Sequence, residues 1–301
     1  MIAGTALRTP LVRLQADSPA EIWLKLENLQ PIGSFKIRGA YNAIRQAPPE
    51  ELARGVLTAS AGNMAQGVAW GARERGVAAT IIAPDHIPET KRAAIERLGG
   101  RVLTVPVDEW FRAIMESRFP GVEGLFVHPV KDDAVMAGNG TIGLELVEDL
   151  PDLDAVLIPW GGGGLTTGIA SAVKALRPGT RVFTVEPETA APFASSVAAG
   201  EPREVDYRPS FVDGAGASAL VPGMWELARP LVDGALTVSL DEAAAAVRVL
   251  AERARVVAEG AGALALAAAL SGRVEGILVC VVSGGNIDPA KLVTILEGRT
   301  P

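Results

Sequence analysis

Lys36 is the residue of this chain whose position most needs a chemical reason. It lies in Ser34-Phe35-Lys36-Ile37-Arg38-Gly39-Ala40, and Gly33-Ser34 ahead of it reads as the start of a helix, so the amine belongs to a first helical turn. A cation there opposes the helix dipole at a cost on the order of a few tenths of a kcal/mol, which vanishes if the amine is neutral or condensed with an aldehyde. Three glycine-bearing turns offer complementary chemistry. Thr58-Ala59-Ser60-Ala61-Gly62-Asn63-Met64 joins an apolar run to a helical one, and its small residues let backbone N–H groups approach a carboxylate or phosphate. Pro159-Trp160-Gly161-Gly162-Gly163-Gly164-Leu165 follows another apolar run, where four glycines permit the positive-φ geometry of an anion nest. Ser283-Gly284-Gly285-Asn286 puts a hydroxyl at the end of a very apolar segment, at the carboxyl edge where open α/β sheets bind ligands.

The elements that must position these residues are legible as alternation. Short aliphatic runs at 55–59, 78–83, 101–105, 154–158, 181–185 and 277–282 predict strands, and segments at 64–75, 88–98, 139–149, 165–176, 241–257 and 260–271 predict helices. That order predicts an α/β protein with mainly parallel sheets. Residues 188–222, rich in Pro and Gly, predict mostly loops with short helices. With 301 residues, 49% of them hydrophobic, the chain can bury the core of two domains.

Composition narrows the function. A net charge of −7 without a basic block or stripe excludes a nucleic-acid groove and leaves small ligands as the expected partners. No apolar run approaches the length needed to span a bilayer, so no membrane partner is expected. The single cysteine, Cys280, reads as a core residue in a reducing compartment, and a cytoplasmic location is expected. His86 and His128 lack the neighbours of a zinc site or a serine–histidine triad.

A helix-start lysine combined with a phosphate cradle suggests pyridoxal phosphate, to which a protein contributes a Schiff-base amine, a phosphate site and a partner for the pyridine nitrogen. A nicotinamide-dependent oxidoreductase is the alternative from another class, since Glu186 ends the strand after the glycines. However, Gly162, Gly164 and Gly168 are spaced G-x-G-x-x-x-G, and that reading leaves Lys36 unexplained. Ser34 to Ala40, Ser60-Ala61-Gly62-Asn63, Ala137-Gly138-Asn139-Gly140-Thr141, Gly161 to Leu165, Glu186-Pro187 and Ser283 to Asn286 together resemble, in order, the threonine/serine dehydratase and serine racemase family of fold-type II pyridoxal phosphate enzymes.

The resemblance implies a fold like that of the tryptophan synthase β chain: two open parallel-sheet α/β domains with the cofactor between them. It implies that Lys36 bonds pyridoxal 5'-phosphate and acts as the catalytic base, that Phe35 backs the ring, and that Asn63 bonds its 3-hydroxyl. Gly161, Gly162, Gly163, Gly164 and Leu165 would hold the phosphate, and Ser283 would face the pyridine nitrogen. Ser60, Ala61, Gly62, Asn63 and Met64 would meet the amino-acid substrate, and Glu259 matches a family glutamate near the cofactor. The activity implied is β-elimination from a β-hydroxy amino acid to a 2-oxo acid and ammonia, with racemisation or β-replacement as alternatives. Ala61 stands where racemases of the family place a serine base, which favours dehydration.

Departures from the family pattern concern the substrate and a cation. Met64 replaces a histidine, Asn139 a glutamine, Pro129-Val130-Lys131-Asp132-Asp133 a Pro-Phe-Asp-like segment, and Trp160 a small residue, so a bulkier β-hydroxy amino acid is an open expectation. No divalent-cation site is expected, because Pro192 stands where relatives carry a second carboxylate six residues after Glu186, although Glu186 itself remains a possible ligand. The expected domains are a large cofactor-binding one of residues 1–53 and 131–301 and a small mobile one of 54–130. The end of the chain at Pro301 predicts no C-terminal regulatory domain. A homodimer is expected as the common state of soluble enzymes.

Overall fold

The computed structural model describes every residue except Met1 and Ala3. Its strands are β1 (Leu11–Arg13), β2 (Glu21–Leu26), β3 (Val56–Ala59), β4 (Ala79–Pro84), β5 (Gly100–Val105), β6 (Leu125–Phe126), β7 (Ala155–Pro159), β8 (Arg181–Pro187), β9 (Gly234–Val238) and β10 (Ile277–Val282). They form a four-stranded sheet ordered β5-β4-β3-β6 and a six-stranded sheet ordered β1-β2-β10-β7-β8-β9. Every pairing is parallel except that of β1 with β2. Among the described residues no helix is long and apolar enough to cross a membrane.

The chain divides into two compact units, residues 1–8 with 30–139, and residues 9–29 with 140–301. The first holds the four-stranded sheet. Its core joins Val56 and Ile81 of the sheet to Ala65, Val68 and Ala69 of the helix Asn63–Arg75 and to Ala40 and Ile44 of the helix Lys36–Gln46. The two helices approach closely because Gly67 has no side chain: a Cβ there would lie 3.1 Å from both Ala40 and the Lys36 carbonyl. Gly39 does the same against the helix Asp133–Asp149, where a Cβ would sit 2.7 Å from Val135. Residues 30–53 and 131–139 fall in the unit that holds the four-stranded sheet, and Lys36 belongs to it.

The second unit is built around the six-stranded sheet. The helix Gly260–Leu270 is apolar on every side and buried from Gly260 to Ala269, which explains why its sequence carries almost no periodicity. It packs with Leu157, Leu278 and Cys280 of the central strands in one apolar core. β2 escapes a reading of the sequence because it contains a charge. Lys25 is fully buried, with its amine 2.5 Å from Glu145 and 2.8 Å from the Thr9 carbonyl, so a central strand carries a paired cation. The short edge strands β1, β6 and β9 and the helix Val107–Glu116 were likewise not expected. The helix expected at 139–149 begins at Asp133, because Asp132 Oδ1 accepts the N–H groups of Ala134 and Val135 at 2.8 and 3.1 Å. The one expected at 241–257 keeps α geometry only to Val249, passes into a wider turn over Leu250–Ala254 and stops at Arg255, whose φ is 60°.

Candidate active site

In the first unit, Lys36 is the first residue of its helix, and its amide lies 3.4 Å from the Ser34 hydroxyl. The half-buried side chain turns back so that Nζ donates to the Pro129 carbonyl at 2.8 Å and lies 5.2 Å from the centre of the Phe35 ring. The acceptor belongs to a turn organised by His128. His128 Nδ1 accepts the N–H groups of Val130 at 3.0 Å and Lys131 at 2.8 Å. Burial above all, then the nearby Lys36 and Lys131 charges, hold the imidazole pKa down at about 4, so it is neutral at physiological pH.

The same unit carries the Ser60–Asn63 loop, at the carboxyl end of β3. Ser60 Oγ accepts the Gly62 N–H at 3.3 Å, and the helix Asn63–Arg75 begins there with no side-chain cap. Ser60, Ala61, Gly62 and Asn63 are half-buried, and a Cβ at Gly62 would meet nothing within 4 Å, so the loop borders open space. Its backbone can receive a carboxylate. Met64 does not share this exposure: at 2% it sits in the core with Ala40, Val68 and Val135. This environment gives Met64 a packing role.

In the second unit, the glycine cradle leaves β7 and Ser283 leaves β10, its parallel neighbour. The strand order reverses here, since the chain proceeds from β7 to β8 and β9 on one side and returns to β10 on the other. A switch of this kind opens a crevice at the carboxyl ends of the two strands. The helix Gly164–Leu176 begins with no side-chain cap, and Gly163 before it has φ 96°, a conformation that disfavours any side chain. Ser283 is buried, and the next residue's carbonyl accepts the Glu259 N–H at 3.0 Å. Trp160 is also buried rather than open, stacked on Phe193 with ring centres 4.0 Å apart. Its ring underlies the loop, because a Cβ on Gly163 would lie 2.7 Å from it.

Glu186 is fully buried at the end of β8, and its two oxygens accept the N–H groups of Phe193 at 3.0 Å and Ala194 at 2.7 Å. Burial, partly offset by those bonds, raises its pKa to about 7. It thus serves the start of the helix Pro192–Ala199. Among the described residues no group of three or more His, Cys, Asp and Glu side chains could hold a metal ion.

Comparison with known proteins decides the family. The model of the pyridoxal-phosphate dependent enzymes matches residues 2–284. The chain belongs to this family. Members similar to it include the L-threonine ammonia-lyase of Thermotoga maritima, 44% identical over 89% of this chain and 68% of that one. Among solved structures, the processed form of threonine deaminase isoform 2 from Solanum lycopersicum superposes with a TM-score of 0.91 at 33% identity, covering 98% of this chain and 88% of the other. Maize serine racemase gives 0.89 at 32% identity, covering 98% and 93%. The fold is therefore the fold-type II architecture that the motifs implied. Each unit by itself carries chemistry that suits the family's cofactor: in the second a positive-φ glycine loop opens an uncapped helix and a buried serine ends the adjacent strand, and in the first a half-buried lysine begins a helix.

Proposed function

We propose that the protein is a pyridoxal-phosphate-dependent ammonia-lyase that converts a β-hydroxy amino acid, threonine, serine or a bulkier analogue, to a 2-oxo acid and ammonia. The observation that carries the reading is Lys36, a half-buried helix-start lysine whose amine is held by a main-chain carbonyl, in a chain 44% identical to an L-threonine ammonia-lyase.

The backbone of Gly161 to Leu165 would hold the phosphate, Phe35 would back the ring, Asn63 would bond its 3-hydroxyl, and Ser283 would meet the pyridine nitrogen. When bound, the cofactor supplies an electron sink for the bond broken at Cα. The Ser60–Asn63 loop receives the substrate carboxylate and so fixes which Cα bond faces the lysine. Lys36 takes the Cα proton, and the β-hydroxyl departs as water. The released enamine hydrolyses with one water to the 2-oxo acid and ammonia, which returns the water lost. Ser283 favours elimination over long-lived carbanions, because a hydroxyl is far too weak an acid to keep the pyridine nitrogen protonated. Ala61 offers no proton acceptor for return of the proton to the opposite face, which supports elimination over racemisation.

The first test is the visible spectrum of the purified protein with pyridoxal phosphate, before and after borohydride, followed by peptide mapping. A reducible band with the adduct on Lys36, and 2-oxo acid released from threonine or serine, supports the reading. An adduct elsewhere, or accumulation of the D-isomer without 2-oxo acid, overturns it.

A further inference from the structure

The turn that receives the Lys36 amine is built by a residue to which the proposed reaction assigns no part. His128 is 7% exposed, and its Nδ1 accepts two consecutive main-chain N–H groups, those of Val130 and Lys131. Between them and His128 lies Pro129, which has no N–H to give and whose carbonyl accepts a hydrogen bond from Lys36 Nζ at 2.8 Å. Asp132, one residue further, caps the following helix through the Ala134 and Val135 amides, so the turn is pinned on both sides.

We propose that His128 is a positioning residue for Lys36: by accepting both amides at Nδ1, it fixes the Pro129 carbonyl as the docking point of the lysine amine whenever that amine is free. The inference rests on Lys36 being the reacting lysine. The arrangement requires an unprotonated Nδ1, since a proton there would face two N–H donors and break both bonds. The charged groups beside the ring, Lys36 and Lys131, oppose protonation as well. A free amine held at one point returns to the same geometry after each turnover, and misplacement by about 1 Å can cost on the order of 10²-fold in rate.

Asparagine places its side-chain oxygen close to where histidine places Nδ1, whereas glutamine carries it one bond further out. His128→Asn is therefore expected to keep most of kcat, while His128→Gln and His128→Ala lower kcat about 10- to 100-fold with little change in KM. In the chain before cofactor is added, acetic anhydride should label Lys36 at a rate altered several-fold in the Gln and Ala variants only, with Lys291, half-buried like Lys36, as the internal reference. Nitrogen-15 NMR of the wild-type chain needs no variant, and with only two histidines the signals are separable. An unprotonated Nδ1 at pH 6 to 8 is expected for His128. A protonated Nδ1, or equal labelling and equal kcat in the Asn and Gln variants, overturns the proposal. Borohydride capture on another lysine would instead sink the reading of Lys36 and leave the labelling result to stand or fall separately.

Discussion

The Lys36 amine sits at a helix start where a permanent cation is disfavoured, and the Pro129 carbonyl is its compensating partner. Lys36→Ala should leave the fold intact and lower 2-oxo acid release by at least on the order of 10²-fold, with borohydride no longer fixing cofactor at this position. Gly163 carries the cradle's geometry. Alanine there must adopt φ 96° and strike the Trp160 ring at 2.7 Å, so Gly163→Ala should weaken pyridoxal phosphate binding. A strain of about 1–2 kcal/mol corresponds to roughly 10-fold in affinity, read by absorbance titration. Both residues were legible from type and spacing alone. Met64 was not assignable that way, because a side chain at a loop–helix junction can point to the ligand or to the core, and only its neighbours Ala40, Val68 and Val135 decide.

Helices set where these residues can stand. The helix Lys36–Gln46 is pressed against the start of Asp133–Asp149 by Gly39, and Gly39→Ala would push a methyl to 2.7 Å from Val135 and 2.8 Å from Asn139. Overpacking of this kind costs about 1–3 kcal/mol, so urea unfolding should show a lower midpoint for Gly39→Ala. Because the same helix begins with Lys36, a fall in kcat beyond the loss of folded protein is also expected. The strand and helix alternation was readable, but β2 was hidden by Lys25, whose charge is paired with Glu145 from a segment about 120 residues away. No local pattern encodes that pairing. His128 was passed over for the same reason: its value lies in two amides and a proline carbonyl, which a search for metal or triad neighbours does not weigh.

Over the whole molecule, two buried titratable groups give stability opposite dependences on pH. The folded state raises the Glu186 pKa from 4.5 to about 7, so its linked stability is full below pH 4.5 and lost as pH rises through 7. The folded state lowers the His128 pKa from 6.5 to about 4, so its linked stability is full above pH 6.5 and lost as pH falls through 4. The two effects largely cancel across the shared window, and a single variant should expose the other. Glu186→Gln, which mimics the protonated carboxyl, should leave a protein whose unfolding free energy falls by about 3 kcal/mol or less from pH 6.5 to 4. A profile unchanged from wild type in chemical denaturation would show that Glu186 does not titrate in this range.

Taken alone, the sequence determined the chemistry: a lysine at a helix start, glycine turns after strands and a serine closing the last strand are local features whose meaning depends on residue type and order. The tertiary structure decided which residues share surroundings. It placed Lys36 with the four-stranded unit, put the glycine cradle and Ser283 on neighbouring strands at a reversal of strand order, sent Met64 and Trp160 into packing, and gave Glu186 to a helix start. The reason is physical. Burial and pairing are properties of segments far apart in the chain, and the free energy of a buried lysine, histidine or carboxylate is set by neighbours that no local window contains.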